Sequence, residues 1–189
     1  MAPLTRERYF EAALDVIAGQ GVEAVTIAAL CQRLDVTIGS FYHHFKGREG
    51  FLGAFYAWWE TEHAFHLVDQ ARREPDPVAR LSLLKRLAAG LPHGAEAAIR
   101  AWSRSHPDAA AAQRRVDEAR IAVVVDTLRQ VGLPPARART LGMMAVSVLI
   151  GAQQLGRLDD AATGRRVFDE LETWLTTAAA APAVTAARR

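Results

Sequence analysis

The sequence predicts an all-α protein. An N-terminal three-helix domain with a helix-turn-helix is joined, through a long fourth helix, to a larger helical body, about nine helices in all. Three observations predict it. Apolar residues recur at spacings of three and four almost throughout the chain. Strand signals are nearly absent, since the one β-branched run, Ile121 to Val125, falls inside a helical pattern. Clusters of Gly and Pro punctuate the helical stretches at intervals that suit short connections.

Each element has its own reason. Thr5 is a good N-cap for the first helix, which ends near Gly19 or Gly21 and carries Phe10, Ala13, Leu14 and Ile17 on one face. Thr26 caps a short second helix with Ile27, Leu30, Cys31 and Leu34 aligned. Asp35 and Val36 form a tight turn, and Thr37 caps a third helix that runs to His44. Lys46 and Gly47 break it before a long fourth helix, Arg48 to Arg72. Glu74-Pro75-Asp76-Pro77 ends that helix and starts a fifth, Val78 to Gly90. A sixth spans Ala95 to Ser105, and a seventh runs from Pro107 to Val131. Gly132-Leu133-Pro134-Pro135 stops it and starts an eighth, Ala136 to Gly156. The ninth covers Thr163 to Ala180. The expected domains are 1–47 and 48–181, with 182–189 as a disordered tail.

Composition limits the function classes. Half of the 189 residues are hydrophobic and 23% are charged, which excludes disorder over the whole chain. The single cysteine, Cys31, rules out an internal disulfide and a paired-cysteine metal site. No apolar run reaches the roughly 18 residues of a membrane span, and the N-terminus lacks an apolar signal core. The expectation is a cytoplasmic protein with no membrane partner. There is no nucleophile with an evident base and no phosphate-cradling glycine loop. His63 and His66 are three apart, but nothing nearby completes a metal set. No catalytic residue, cofactor or metal is expected.

Thr26 to Phe45 carries the functional signal. Helix, short turn and second short helix match the helix-turn-helix plan, in which the second helix enters the DNA major groove. Thr37, Ile38 and Ser40 lie on its first turn, within reach of bases or phosphates. Ser40 can bond many base edges, and Ile38 suits a thymine methyl. Tyr42 has a hydroxyl on a rigid stalk suited to a phosphate oxygen. His43 and His44 can donate to phosphate. Lys46 stands just ahead of the fourth helix, whose N-terminus can hold another phosphate. Thr26 can bond a phosphate or do no more than cap its helix. Phe41 and Phe45 are core candidates.

This stretch resembles the tetracycline-repressor (TetR) family of bacterial regulators. The resemblance covers Ala12 to Phe55 and is carried by Thr26, Ala29, Val36, Thr37, Gly39, Phe41, Tyr42, His44, Phe45 and Lys46. It implies a dimeric transcriptional regulator that reads operator DNA through the third helix, with an effector pocket to which the fourth helix contributes. Asp35 stands where the family usually has Gly in the turn, and Gly50 and Gly53 occupy the first turns of the fourth helix, where helix formers are usual.

Charge gives a counter-argument. The whole chain is at +2. Residues 1–50 hold five basic groups (Arg6, Arg8, Arg33, Lys46, Arg48) against six acidic ones (Glu7, Glu11, Asp15, Glu23, Asp35, Glu49), one negative charge in excess. Binding by counterion release alone asks for a more positive head. A helical small-molecule-binding or interaction protein that no longer reads DNA is the alternative reading.

Nine of the 14 aromatic residues lie between Phe41 and Phe65. Phe55, Trp58, Trp59, Glu62 and His66 fall near one stripe of the fourth helix, either as plain core or as part of a pocket for a small, mostly apolar effector. Leu83, Leu87, Trp102, Met143, Met144 and Gln153 are the other pocket candidates. The apolar surfaces of the eighth and ninth helices must be covered. Leu141, Ala145, Val148, Leu149, Ala152 and Leu155, with Phe168, Leu171, Trp174 and Leu175, are the candidates for a homodimer interface, which a reader of two DNA half-sites needs. The expected protein is a repressor on a near-palindromic operator, released by its effector.

Overall fold

A computed structural model describes residues 5–180, so the expected tail at 182–189 lies outside the described residues. Among those residues there are nine helical rods and no strand, as the sequence predicts. They are α1 (Arg6–Gln20), α2 (Ile27–Leu34), α3 (Ile38–His44), α4, α5 (Pro77–Ala89), α6 (His93–Ser103), α7 (Pro107–Gln130), α8 (Pro135–Gln154) and α9 (Ala161–Ala180). α4 is one continuous rod in three parts. Gly47–Glu60 is α-helical, Thr61–Phe65 is a π-helical segment, and His66–Arg72 is α-helical again.

The stops and caps follow local chemistry. Gly21 ends α1 at φ 83°. The Thr26 hydroxyl accepts from the Ala29 N–H, and that of Thr37 from the Ser40 N–H, each satisfying an orphan donor of its helix. The Asp76 carboxylate accepts from the N–H groups of Val78 and Ala79, with Pro77 behind it at the first helical position. The Asp160 carboxylate accepts from Ala162 and Thr163, so α9 begins two residues before the expected Thr163. α6 begins at His93 rather than Ala95.

One continuous core runs through α1–α3, the upper part of α4, α6 and the start of α7. Tyr9, Phe10, Ile17, Leu30, Phe41, Phe45, Phe51, Phe55, Trp59, Ile99 and Val116 belong to it. No gap in packing falls at the expected boundary near residue 47. Three smaller apolar clusters build the rest of the body. They centre on Leu128, Leu141 and Leu175, on Leu91, Leu149 and Phe168, and on Val68, Ala71 and Val123. α7 and α8 come so close that a Cβ on Gly142 would lie 2.5 Å from Val125 Cγ2.

Candidate nucleic-acid interface and effector cavity

The helix-turn-helix head is organised by the turn between α2 and α3. Asp35 takes the left-handed conformation at φ 53°, ψ 51°. Its N–H donates to the Gln32 carbonyl at 3.3 Å, and the Val36 N–H reaches Cys31 O at 3.0 Å. Asp is among the few non-glycine residues that adopt this region at modest cost, so the turn closes despite the departure from glycine.

α3 is then divided by its two faces. Phe41 is fully buried and meets Tyr9 edge-on at 5.7 Å, and Phe45 packs on Tyr9, Phe10 and Phe51. The other face points to water. Ile38 is 55% exposed and Tyr42 58%. They are four residues apart and share one side of the helix. Thr26, Thr37, His43 and Lys46 are also exposed, while Ser40 and His44 are half-buried. Tyr9 Oη donates to Ser40 Oγ at 3.3 Å. Six of the eight residues expected at DNA are thus exposed, Ser40 and His44 turn toward Tyr9 of α1, and Thr26 and Thr37 act as caps.

Two tethers here were not anticipated. Arg48 Nε donates to the Val25 carbonyl at 2.9 Å and Nη2 to that of Val22 at 3.4 Å. The first turn of α4 thus holds the segment that leads into α2. Arg33 pairs with Asp15 at 2.6 Å across α1 and α2, in an exposed position of little energetic weight.

The body holds a separate feature. A cavity of about 110 Å³ lies between the lower part of α4, α5, α7, α8 and α9. Its wall is apolar, with Ala64, Leu67, Val68, Leu84, Leu87, Val123, Val146, Leu149 and Phe168 among the lining residues. Only His63, Lys85, Arg120 and Glu172 bring polar side chains to it. His63, Leu67, Leu87 and Leu91 also line an open cleft against α1, together with Trp58, Glu62, Glu7 and Glu11. Those first four residues border both spaces.

The pocket candidates read from the sequence distribute unevenly around this space. Leu87 lines the cavity, and Trp58 and Glu62 line the outer cleft. Phe55, Trp59 and Trp102 lie in the core shared with the helix-turn-helix head, because the aromatic stripe of α4 faces α1, α6 and α7 before the cavity begins. His66, Met143 and Met144 are exposed, Leu83 is half-buried off the cavity wall, and Gln153 is buried in a hydrogen-bond network. α4 reaches the cavity only from His63 onward, one turn beyond the aromatic stripe. Periodicity marks that stripe as inward-facing without saying what it faces.

Of the residues expected between subunits, Leu141, Ala145, Leu149, Phe168 and Leu175 are buried within the chain. Ala145, Leu149, Phe168, Leu171 and Leu175 line the cavity. Ala152 is half-buried. Val148, Leu155 and Trp174 remain exposed, and Met144 and Val148 on α8 line up with Leu155, the residue that caps its end.

Behind the cavity runs a buried polar network. Arg120 donates to both oxygens of Glu96, at 2.9 and 2.5 Å, and from Nη2 to the His63 carbonyl at 2.8 Å. Gln153 Nε2 donates to Glu96 at 2.8 Å and lies 3.2 Å from His93 Nδ1. A π turn leaves backbone carbonyls less well paired than an α turn, and Arg120 satisfies one of them. Burial pushes the imidazoles of His63 and His93 below their ordinary value, partly opposed by the Glu96 carboxylate. The network had one legible signal. Arg120 lies three and four residues from Val123 and Val116, in the buried stripe of α7, where a charge needs a partner. Its partner, 24 residues away on another helix, leaves no linear trace.

Among the described residues no cluster of three metal-binding side chains occurs, and no helix is long and apolar enough to cross a membrane.

Comparison with known proteins agrees with this geometry. Residues 10–55 match the family described as bacterial regulatory proteins, tetR family. Solved structures share the fold at low sequence identity. A transcriptional regulator from Rhodococcus sp. Rha1 is similar at TM-score 0.76 and 18% identity, covering 93% of this chain and 97% of its own. A TetR transcriptional regulator from Legionella pneumophila is similar at 0.75 and 14%, covering 94% and 99%. FadR from Bacillus subtilis, solved in complex with stearoyl-CoA, is similar at 0.66 and 15%, covering 89% and 98%. Among curated proteins none matches the sequence. The resemblance read from the helix-turn-helix residues is borne out. The chain has the fold of TetR-family transcriptional regulators, with the family's helix-turn-helix match at residues 10–55.

Proposed function

We propose that this protein is a ligand-responsive DNA-binding transcriptional regulator. It acts in the cytoplasm as a homodimeric repressor on a near-palindromic operator. The observation that carries the reading is the division of α3. Phe41 locks one face into the core, while Ile38 and Tyr42 stand exposed on the other. A short helix held rigidly with large side chains turned to water is suited to groove insertion. Thr37, Ser40, Tyr42, His43, His44 and Lys46 supply donors around it.

The same geometry suggests how a ligand acts. Arg48 and the shared aromatic core join the head and upper α4, together with α6 and the start of α7. Below the π segment, α4 becomes a wall of the cavity. A ligand in the cavity bears on α4 below the π joint, and the head moves with the part above it. It need only prefer one head position by a few kcal/mol to empty the operator. FadR was solved with stearoyl-CoA in this fold; a cavity of about 110 Å³ suits a far smaller molecule. The dimer uses the exposed apolar residues Met144 and Val148 of α8 and Leu155 at its end, together with Trp174 on α9.

A gel shift with the DNA upstream of its own gene tests the reading. Wild type binds at low salt, and Tyr42→Ala weakens binding about tenfold while changing stability by less than about 0.5 kcal/mol. Failure to bind at low salt, with Tyr42→Ala indistinguishable from wild type, favours the alternative, a helical ligand-binding protein. The negative excess in residues 1–50 is what supports that alternative. If DNA binds, the same charge count predicts a shallow salt dependence. A slope equivalent to about ten neutralised phosphates contradicts it.

A further inference from the structure

Resting on the DNA-binding reading, we infer that Tyr9 is a positioning residue for operator recognition. Its hydroxyl occupies Ser40 from the inside. Ser40 is thereby committed to meet DNA as a hydrogen-bond donor, on a phosphate oxygen or on an acceptor atom of a base edge.

The phenol is fixed in place. Tyr9 is fully buried on α1, and its ring meets Phe41 and Phe45 edge-on at 5.7 and 5.5 Å. Burial pushes the phenol above its ordinary value, so the proton stays on the oxygen. That oxygen lies 3.3 Å from Ser40 Oγ, and among the described residues neither hydroxyl has another hydrogen-bond partner. A phenol is the stronger acid and an alcohol oxygen the better acceptor, so the bond runs from Tyr9 to Ser40.

Ser40 is half-buried, with the rest of its surface open to water. It stands about 200° around α3 from Tyr42, which follows two residues later. The two hydroxyls therefore take opposite flanks of the exposed face. A serine hydroxyl has one proton and two lone pairs. Tyr9 takes one lone pair, and accepting that bond polarises the remaining O–H into a stronger donor. Phosphate oxygens, purine N7, guanine O6 and thymine O4 suit it; the amino groups of adenine and cytosine do not. His44, one turn beyond Ser40, rests on the same ring at 5.7 Å. One buried side chain thus sets both residues of this flank.

A double-variant cycle on the full chain tests this: Tyr9→Phe, Ser40→Ala and the two together. Tyr9→Phe keeps the ring and removes only the hydroxyl. Affinity is measured at one fixed salt on duplexes that the wild type selects from a random pool. Ser40→Ala weakens binding about fivefold and Tyr9→Phe about threefold. The pair stays near fivefold, because Tyr9 acts only through Ser40. Additive losses, about fifteenfold in the pair, overturn the inference, and so does full affinity in Tyr9→Phe. Acceptor-deleted bases and methylphosphonates, placed one at a time in the selected duplex, then identify the atom. At one position the change weakens wild type and leaves Ser40→Ala unaffected, and its kind separates base edge from phosphate. The absence of any such position overturns the donor role. The bond itself is read on free protein. Ser40→Ala strands a buried hydroxyl, so the double variant melts above it; no recovery overturns the bond. If no duplex is selected, the DNA-binding reading fails and this inference falls with it. Selected duplexes with additive losses remove this inference alone.

Discussion

The helix-turn-helix head and the body solve the same packing problem in opposite ways. The head is closed by one continuous aromatic cluster in which Tyr9, Phe41, Phe51, Phe55 and Trp59 are fully buried. The lower body is divided into three small clusters around an empty space, with an ion pair buried behind it. A cluster without gaps moves as a unit, because close-packed side chains have no second arrangement nearby. A divided core can rearrange around a guest. The difference assigns rigidity to the part that carries the exposed face of α3 and compliance to the part that contains the cavity, with the π segment of α4 between them.

The largest expected effects come from breaking each core at its centre. Phe41→Ala should cost about 3–5 kcal/mol, since the ring is fully buried and edge-packed on Tyr9. Arg120→Met should cost about as much, for another reason: it strands the Glu96 carboxylate. Replacing both partners, with Glu96→Leu added, should recover most of that loss. Chemical denaturation of the three variants measures this, and a double variant no better than Arg120→Met would show that geometry, not charge burial, dominates there.

Leu149→Ala comes next, at about 2 kcal/mol, the low end for such truncations, because its side chain already borders empty space. A loss as large as that of Phe41→Ala would mean the cavity wall is packed like the head.

Acidification separates the regions more gently. Unfolded, His63 and His93 sit near their ordinary value of 6.5; folded, burial holds them lower. Below about 6.5 the unfolded chain takes up protons that the folded one declines. Stability is therefore full above that pH and falls as pH drops from about 6.5 toward 5. Melting temperatures across this range should decline, and His63→Leu should flatten the decline. A flat wild-type profile contradicts the burial argument.

The smallest effect is a gain. Gly53 lies inside α4, is exposed, and a Cβ there meets nothing within 4 Å. Gly53→Ala should stabilise by about 0.5–1 kcal/mol, read from the same denaturation curves. If it also weakens the response to ligand, the softness of α4 extends above the π segment into the head.

The all-α class, the order of nine rods and the division of α3 into a core face and a water face were all legible in the chain. Each rests on local chemistry: apolar period, Thr caps at positions 26 and 37, an Asp able to close a left-handed turn, and proline stops. The same reasoning sees that Phe55 and Trp59 point inward, because burial shows in periodicity, but it assigns Leu149 to a subunit interface, because an apolar face does not say which chain covers it. Nor does it see what these side chains meet. Tertiary structure alone put Trp59 in the core of the head and Leu149 on a cavity wall, paired Arg120 with Glu96 across 24 residues, and placed His63 on a π turn with one nitrogen unsatisfied. The reason is physical. A helix fixes its own faces through contacts three and four residues apart, whereas a cavity or a buried ion pair exists only between helices and is set by how their axes pack.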